Sequence, residues 1–288
     1  MRGTLMRLLS LGTAVFALAL LVAGCGSSDE PAEGKSMATD TSAATTTVAQ
    51  EDGGSMLARY DDASTPEAVQ GRALLQSTTL LEDLAQSVND SFKLPFDVPL
   101  IGSECGEAND YWSPTDKALT MCYEDVNESL RIFRAAADPD PEAVARRIAI
   151  ASFYHELGHM AIDLYDLPAT GREEDVADQM SAYVLLGPDE NGTVDPENIQ
   201  AAKDIARAYK VQSQEGGPPD EAALSDVHTL NEARMYNFEC WIYGSNPEGN
   251  KDIVADGLLP QDRADGCEDE YRKLSNAWST LLSPHLKD

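Results

Sequence analysis

Asp140-Pro141-Glu142-Ala143-Val144-Ala145-Arg146-Arg147-Ile148-Ala149-Ile150-Ala151-Ser152-Phe153-Tyr154-His155-Glu156-Leu157-Gly158-His159 is the stretch that decides the fold. Asp140 reads as an N-cap and Pro141 as the first helical residue. A capping carboxylate satisfies the free amides of the first turn, and proline's fixed φ already suits that position. From Ile148 to Tyr154 the run is apolar nearly all round, which a helix lying on the surface cannot be. The stretch therefore predicts a long buried helix, running to about Tyr165, at the centre of a mainly helical α+β domain.

His155 and His159 stand at i and i+4 on that helix, one turn apart on one face, where two imidazoles can hold one metal ion. Glu156 sits beside the first of them. Zinc at such a site acidifies a bound water, and a neighbouring carboxylate can take its proton. Only four histidines occur in the chain, and this motif arises by chance in such a sequence on the order of once in a hundred. A pair of core histidines would leave unexplained a glutamate in a buried apolar segment, where an unpaired charge is expensive. Gly158 costs about 1 kcal/mol against alanine inside a helix, which close approach of another element would explain.

Catalytic zinc keeps three protein ligands and one open position. A metzincin would continue His-x-x-Gly-x-x-His, and Ile162 and Tyr165 exclude that class. Gly171-Arg172-Glu173-Glu174-Asp175-Val176-Ala177-Asp178 instead resembles the Glu-x-x-x-Asp element of gluzincin metallopeptidases. The resemblance implies Glu174 as third ligand and Asp178, one turn on, as the outer carboxylate that orients His155. Glu173 points about 100° away from Glu174 on the same helix, so Glu173→Ala is expected to leave metal retention almost unchanged.

From about residue 75 to 288 the chain resembles a bacterial metallopeptidase family defined as a domain of unknown function. Ala108-Asn109-Asp110-Tyr111, Met121-Cys122-Tyr123-Glu124, Phe153 through His159, Gly171 through Asp175, Asp226-Val227-His228 with Arg234 and Asn237, Tyr243-Gly244-Ser245 and Trp278 carry it. Asp110 departs from the small residue expected there and is read as a loop residue without consequence. The family name rests on the zinc motif itself, so it implies zinc more strongly than any substrate. It also implies a zincin-like helical domain, with a small β hairpin or edge strand preceding the active-site helix.

The 288 residues carry 21 Lys+Arg against 50 Asp+Glu, a formal charge of −29. That balance argues against nucleic acid, which needs a basic surface. Arg2 and Arg7 precede an apolar run from Leu8 to Ala23, too short to span a bilayer comfortably and typical of a secretory signal. Val22-Ala23-Gly24-Cys25 resembles a bacterial lipobox, in which Cys25 is acylated and becomes the mature N-terminus. Gly26 to Ala58 lacks aromatic residues and isoleucine and reads as a disordered acidic tether. The expected organisation is a lipoprotein signal peptide at 1–24, lipidated Cys25 with its tether at 25–58, and one metallopeptidase domain at 59–288.

Four cysteines remain, an even number in an exported chain. Of three pairings, Cys105–Cys122 and Cys240–Cys267 are expected, because each closes a short local loop. A cysteine zinc site is disfavoured because no Cys-x-x-Cys pair exists. Pro66 to Asp90 predicts a helix, and Tyr111 to Tyr123 predicts strand, turn and strand around Pro114-Thr115-Asp116-Lys117. Glu124–Ala137 and the ranges 173–186, 196–213, 220–243 and 261–282 predict further helices.

These readings converge on a lipid-anchored, extracytoplasmic, zinc-dependent peptidase, expected to be a monomer acting on peptide or protein. His155, His159 and Glu174 are the expected zinc ligands and Glu156 the general base. His228, at an early turn of the 220–243 helix, is the candidate for stabilising the oxyanion. The strand near Ala118–Tyr123 is the expected edge for substrate pairing. A non-catalytic zinc-binding lipoprotein, acting as a binding or scaffold module, is the rival reading. Glu156 separates the two, because a structural site needs no base.

Overall fold

The structure is a computed structural model, and it describes residues 53–189, 191–215 and 217–287. The signal peptide, Cys25 and most of the tether lie outside the described residues. The elements in chain order are β1 (Met56–Tyr60), α1 (Pro66–Ser77), α2 (Leu80–Ser91), β2 (Val98–Ser103), β3 (Tyr111–Ser113), β4 (Ala118–Cys122), α3 (Tyr123–Ala135), α4 (Pro141–Tyr165), α5 (Glu173–Leu186), α6 (Pro196–Glu215), α7 (Glu221–Ser225), α8 (Asn231–Ser245), α9 (Asp252–Ala255), α10 (Gln261–Ala264) and α11 (Cys267–Leu282). The domain is mainly helical with one small sheet, as the sequence predicts.

α4 is the hub. Asp140 caps it by accepting from Ala143 N, and Pro141 opens it. It packs against α3, α5 and α6. Ile148, Ala149, Ala151, Phe153, Tyr154 and Leu157 are all buried, as the apolar run requires. The helix ends at Asp166, which takes the left-handed conformation. Gly171, at φ 101°, then turns the chain back so that α5 runs along α4. A Cβ on Gly158 would lie 3.0 Å from Ala177 Cα and 3.0 Å from Met180 Cβ. The glycine inside α4 is therefore a point of close approach to α5.

The sheet has the order β1-β2-β4-β3, with β1, β2 and β4 parallel and β3 antiparallel to β4. β3 and β4 form the predicted hairpin. Lys117, at φ 52°, closes its turn by donating from its amide to Ser113 O at 2.8 Å. β4 is interior and wholly buried, so the expectation that Ala118–Tyr123 forms a sheet edge is corrected: the edge beside it is β3.

Other boundaries differ from expectation. The segment 53–58 is not wholly tether, because Met56 to Ala58 lie in β1. Met56 is buried there, and Asn89 takes both its amide and its carbonyl. The predicted helix from Pro66 to Asp90 breaks at Thr78-Thr79, where Thr79 adopts φ 51°. The predicted 220–243 helix is α7, a loop and α8, and the 261–282 helix is α10 followed by α11. Both expected disulfides are present: Cys105–Cys122 ties the segment after β2 to β4, and Cys240–Cys267 ties α8 to α11.

Candidate metal centre

α4 and α5 bring three predicted ligands together. His155 Nε2 lies 3.2 Å from His159 Nε2 and 3.2 Å from Glu174 Oε2, and His159 Nε2 lies 3.4 Å from that oxygen. Tetrahedral zinc with bonds of about 2.0–2.1 Å separates its ligand atoms by about 3.3 Å. The triangle therefore has the dimensions that a His2Glu zinc site requires. Among the described residues, this is the group of histidine and acidic side chains that could hold a metal ion.

Carboxylates hold the opposite side of each imidazole. Asp178 Oδ1 is 2.8 Å from His155 Nδ1, as the i,i+4 relation to Glu174 implies. Glu173 Oε1 is 2.8 Å from His159 Nδ1. This second partner was missed, because its angle on the helix pointed it away from the metal. It turns away from Glu174 and onto the other histidine. With Nδ1–H donated to a carboxylate, each ring turns Nε2 toward Glu174 Oε2, where a cation would take the place of the Nε2 proton.

The electrostatics follow from these pairs. Burial would lower the His155 imidazole, but Asp178 and Glu174 outweigh it and raise it to about 10. Burial would raise the Asp178 carboxyl, but Arg234 and His155 bring it down to about 2. Glu174 falls far below the usual carboxylate range, because His155, His159 and His228 outweigh its burial. Such an anion among imidazoles is suited to a cation. For Glu156, burial wins over the pull of the two histidines and pushes its carboxyl up.

Glu156 is fixed from the sheet. Its Oε2 accepts from the main-chain amide of Trp112 on β3 at 2.9 Å, while Oε1 lies 3.8 Å from His155 Nε2. Two turns further along α4, Asp163 accepts from Trp112 Nε1 at 2.9 Å and pairs with Lys117 Nζ at 2.7 Å. These contacts lay the open edge of the sheet across the helix that carries the motif. Asp110, expected to be an inconsequential loop residue, is buried instead. It accepts from Cys122 N and Ser152 Oγ at 2.7 Å each, so it joins β4 to α4. No pattern in the sequence pointed to Trp112, whose contact with Glu156 is main-chain.

His228 is brought to the site, though not from a helix. It sits in the loop between α7 and α8, with Nδ1 2.8 Å from Asp226 Oδ1 and Nε2 3.1 Å from Glu174 Oε2. Arg172 braces that loop by donating to the carbonyls of Asp226 and His228. The side chain of His228 is 48% exposed, whereas those of His155 and His159 are nearly enclosed. A cavity of about 620 Å³ opens over the group, with Tyr111 and Trp112 on one wall and Val227 and His228 on the other.

A family model described as "Putative metallopeptidase", DUF4344, matches residues 60–282. No curated protein and no solved structure matches the chain significantly.

Proposed function

The chain belongs to this metallopeptidase family, and we propose that it is a zinc-dependent peptidase held by lipid on the extracytoplasmic side of a bacterial membrane. The observation that carries the reading is the convergence of His155 Nε2, His159 Nε2 and Glu174 Oε2 beside the buried carboxylate of Glu156. His155, His159 and Glu174 are the proposed zinc ligands. Zinc in this setting supplies an acidified water and polarises a carbonyl.

Glu156 takes the proton of the attacking water and returns it to the leaving amine. A carboxyl raised by burial is better matched to both transfers than an ordinary one. The Trp112 amide keeps its far oxygen engaged, so the near one faces the reacting group. His228 is held at Nδ1 by Asp226 and at Nε2 by Glu174, and it would serve the carbonyl oxygen as negative charge builds there by turning Nε2 from Glu174 onto it. β3 is the sheet edge beside the cavity, and an extended peptide laid along it can use main-chain hydrogen bonds. That mode favours low sequence specificity.

The lipid anchor rests on Val22-Ala23-Gly24-Cys25. Its oxidising compartment suits the Cys105–Cys122 and Cys240–Cys267 disulfides. Glu156→Gln tests the catalytic reading. The variant is expected to keep its zinc and lose about 10²–10⁴-fold in kcat/KM against a peptide library. A variant that turns over like the parent removes Glu156 from the mechanism. Zinc binding without cleavage by either protein favours the binding-lipoprotein reading.

A further inference from the structure

Arg234 lies on α8, away from the metal-facing atoms, yet it is only 9% exposed. Its Nε and Nη2 donate to Oδ2 and Oδ1 of Asp178, each at 2.7 Å. The guanidinium carbon lies 4.2 Å over the ring of Tyr209 on α6, and the Tyr209 hydroxyl reaches the same Oδ1 at 3.4 Å. That Oδ1 is the atom facing His155 Nδ1. One continuous set of contacts thus runs from α8 through α5 to α4, with α6 closing its side.

Stability alone does not call for this arrangement. Removing two charges from water costs several kcal/mol per ion, and a well-packed apolar pair of similar volume is often as stable. The fork does something an apolar pair cannot. A lone carboxylate can rotate about its last bond and offer either oxygen at varied tilt. Two parallel bonds to a rigid guanidinium fix both oxygens in one plane. The His155 ring then has one orientation, with Nε2 toward His159 and Glu174.

We propose that Arg234 is a positioning residue of the metal centre: by clamping both oxygens of Asp178 it fixes the His155 ring in its ligating orientation. The proposal rests on reading His155, His159 and Glu174 as the ligands. Lysine cannot replace it, because one ammonium cannot bridge both oxygens in that plane.

The test is the zinc affinity of the mature full-length chain and its Arg234→Gln and Arg234→Lys variants. A chromogenic chelator competes for zinc, at a temperature where circular dichroism shows every zinc-free protein folded. Arg234→Gln is expected to bind zinc about 10–100-fold more weakly, the usual cost of losing an outer-shell partner. Arg234→Lys, which keeps the buried charge, is expected to lose about tenfold. In nitrogen-15 spectra the His155 ring of the zinc-free parent keeps one set of resonances, and in both variants it exchanges between orientations. Should Arg234→Gln fail to fold, Arg234→Lys decides. Parent-like affinity in a folded Arg234→Lys overturns the clamp and leaves the metal centre standing. A parent that binds no zinc overturns the metal centre and the clamp with it.

Discussion

The carboxylate of Glu173 lies 2.8 Å from Nδ1 of His159, so each motif histidine has its own acidic partner on α5. The two partners are unequal. Asp178 is 2% exposed and held by Arg234, whereas the Glu173 side chain is 55% exposed. Solvent weakens an exposed pair, and holding a long side chain costs entropy.

That asymmetry ranks the carboxylates by their effect on zinc. Glu174→Ala, which removes a direct ligand, is expected to weaken binding more than 100-fold, beyond the range of outer-shell losses. Asp178→Asn is expected to cost about 10–100-fold and Glu173→Ala only a few-fold. Metal content after dialysis against graded chelator gives the order. Glu173→Ala losing more zinc than Glu174→Ala would shift the ligand by one residue.

The site was legible where its parts lie on one helix face. His155 and His159 are one turn apart, as are Glu174 and Asp178, and a turn rich in breakers joins the two helices. The central helix was legible because Asp140-Pro141 caps it and Ile148–Tyr154 admits no solvent face. What escaped depends on tertiary contact. The Leu74, Leu81, Leu84 and Val88 periodicity continues across Thr78-Thr79 with no glycine or proline to mark the break. β1 follows a polar glycine-rich run and reads as tether, and its parallel partner β2 contains Pro99, so Phe92 to Ile101 reads only as extended or irregular. His228 reads as helical in local pattern. Arg172 holds its carbonyl from 56 residues away, and the loop stays open.

Gly158 separates stability from metal affinity. Alanine would gain about 1 kcal/mol of helix propensity. Its Cβ would also meet Ala177 and Met180 at 3.0 Å, so α5 must yield by a few tenths of an ångström. Gly158→Ala is expected to melt close to the parent and bind zinc more weakly, because α5 carries Glu174 and Asp178. Calorimetry with chelator competition checks both. Parent-like zinc affinity would mean that α5 does not transmit the displacement.

The anchor proposal is tested at Cys25. Cys25→Ala is expected to release the protein from the membrane fraction or to block its processing, because acylation requires the thiol. Normal maturation with unchanged membrane recovery would rule the lipid anchor out.

Glu239 should impose a pH dependence on stability away from the metal. It lies on α8 in a cavity of about 430 Å³ among Phe133, Val211 and Ile242, and its Oε2 has no hydrogen-bond partner. Burial, only partly offset by Lys210, pushes its carboxyl up to about 7. An unfolded glutamate titrates near 4.3. Between these values the folded chain binds the extra proton, so this stabilising contribution is complete below about pH 4 and is lost as pH rises through 7. Glu239→Gln keeps the shape and cannot ionise. The variant and parent should therefore melt alike at about pH 4. At pH 8 the variant should melt roughly 2–4 °C higher, about 1 kcal/mol for a domain of this size after discounting for solvent that reaches the cavity. Melting curves at the two pH values check this. A difference that is the same at both would mean that Glu239 is ionised throughout, paired with Lys210 at the cavity mouth.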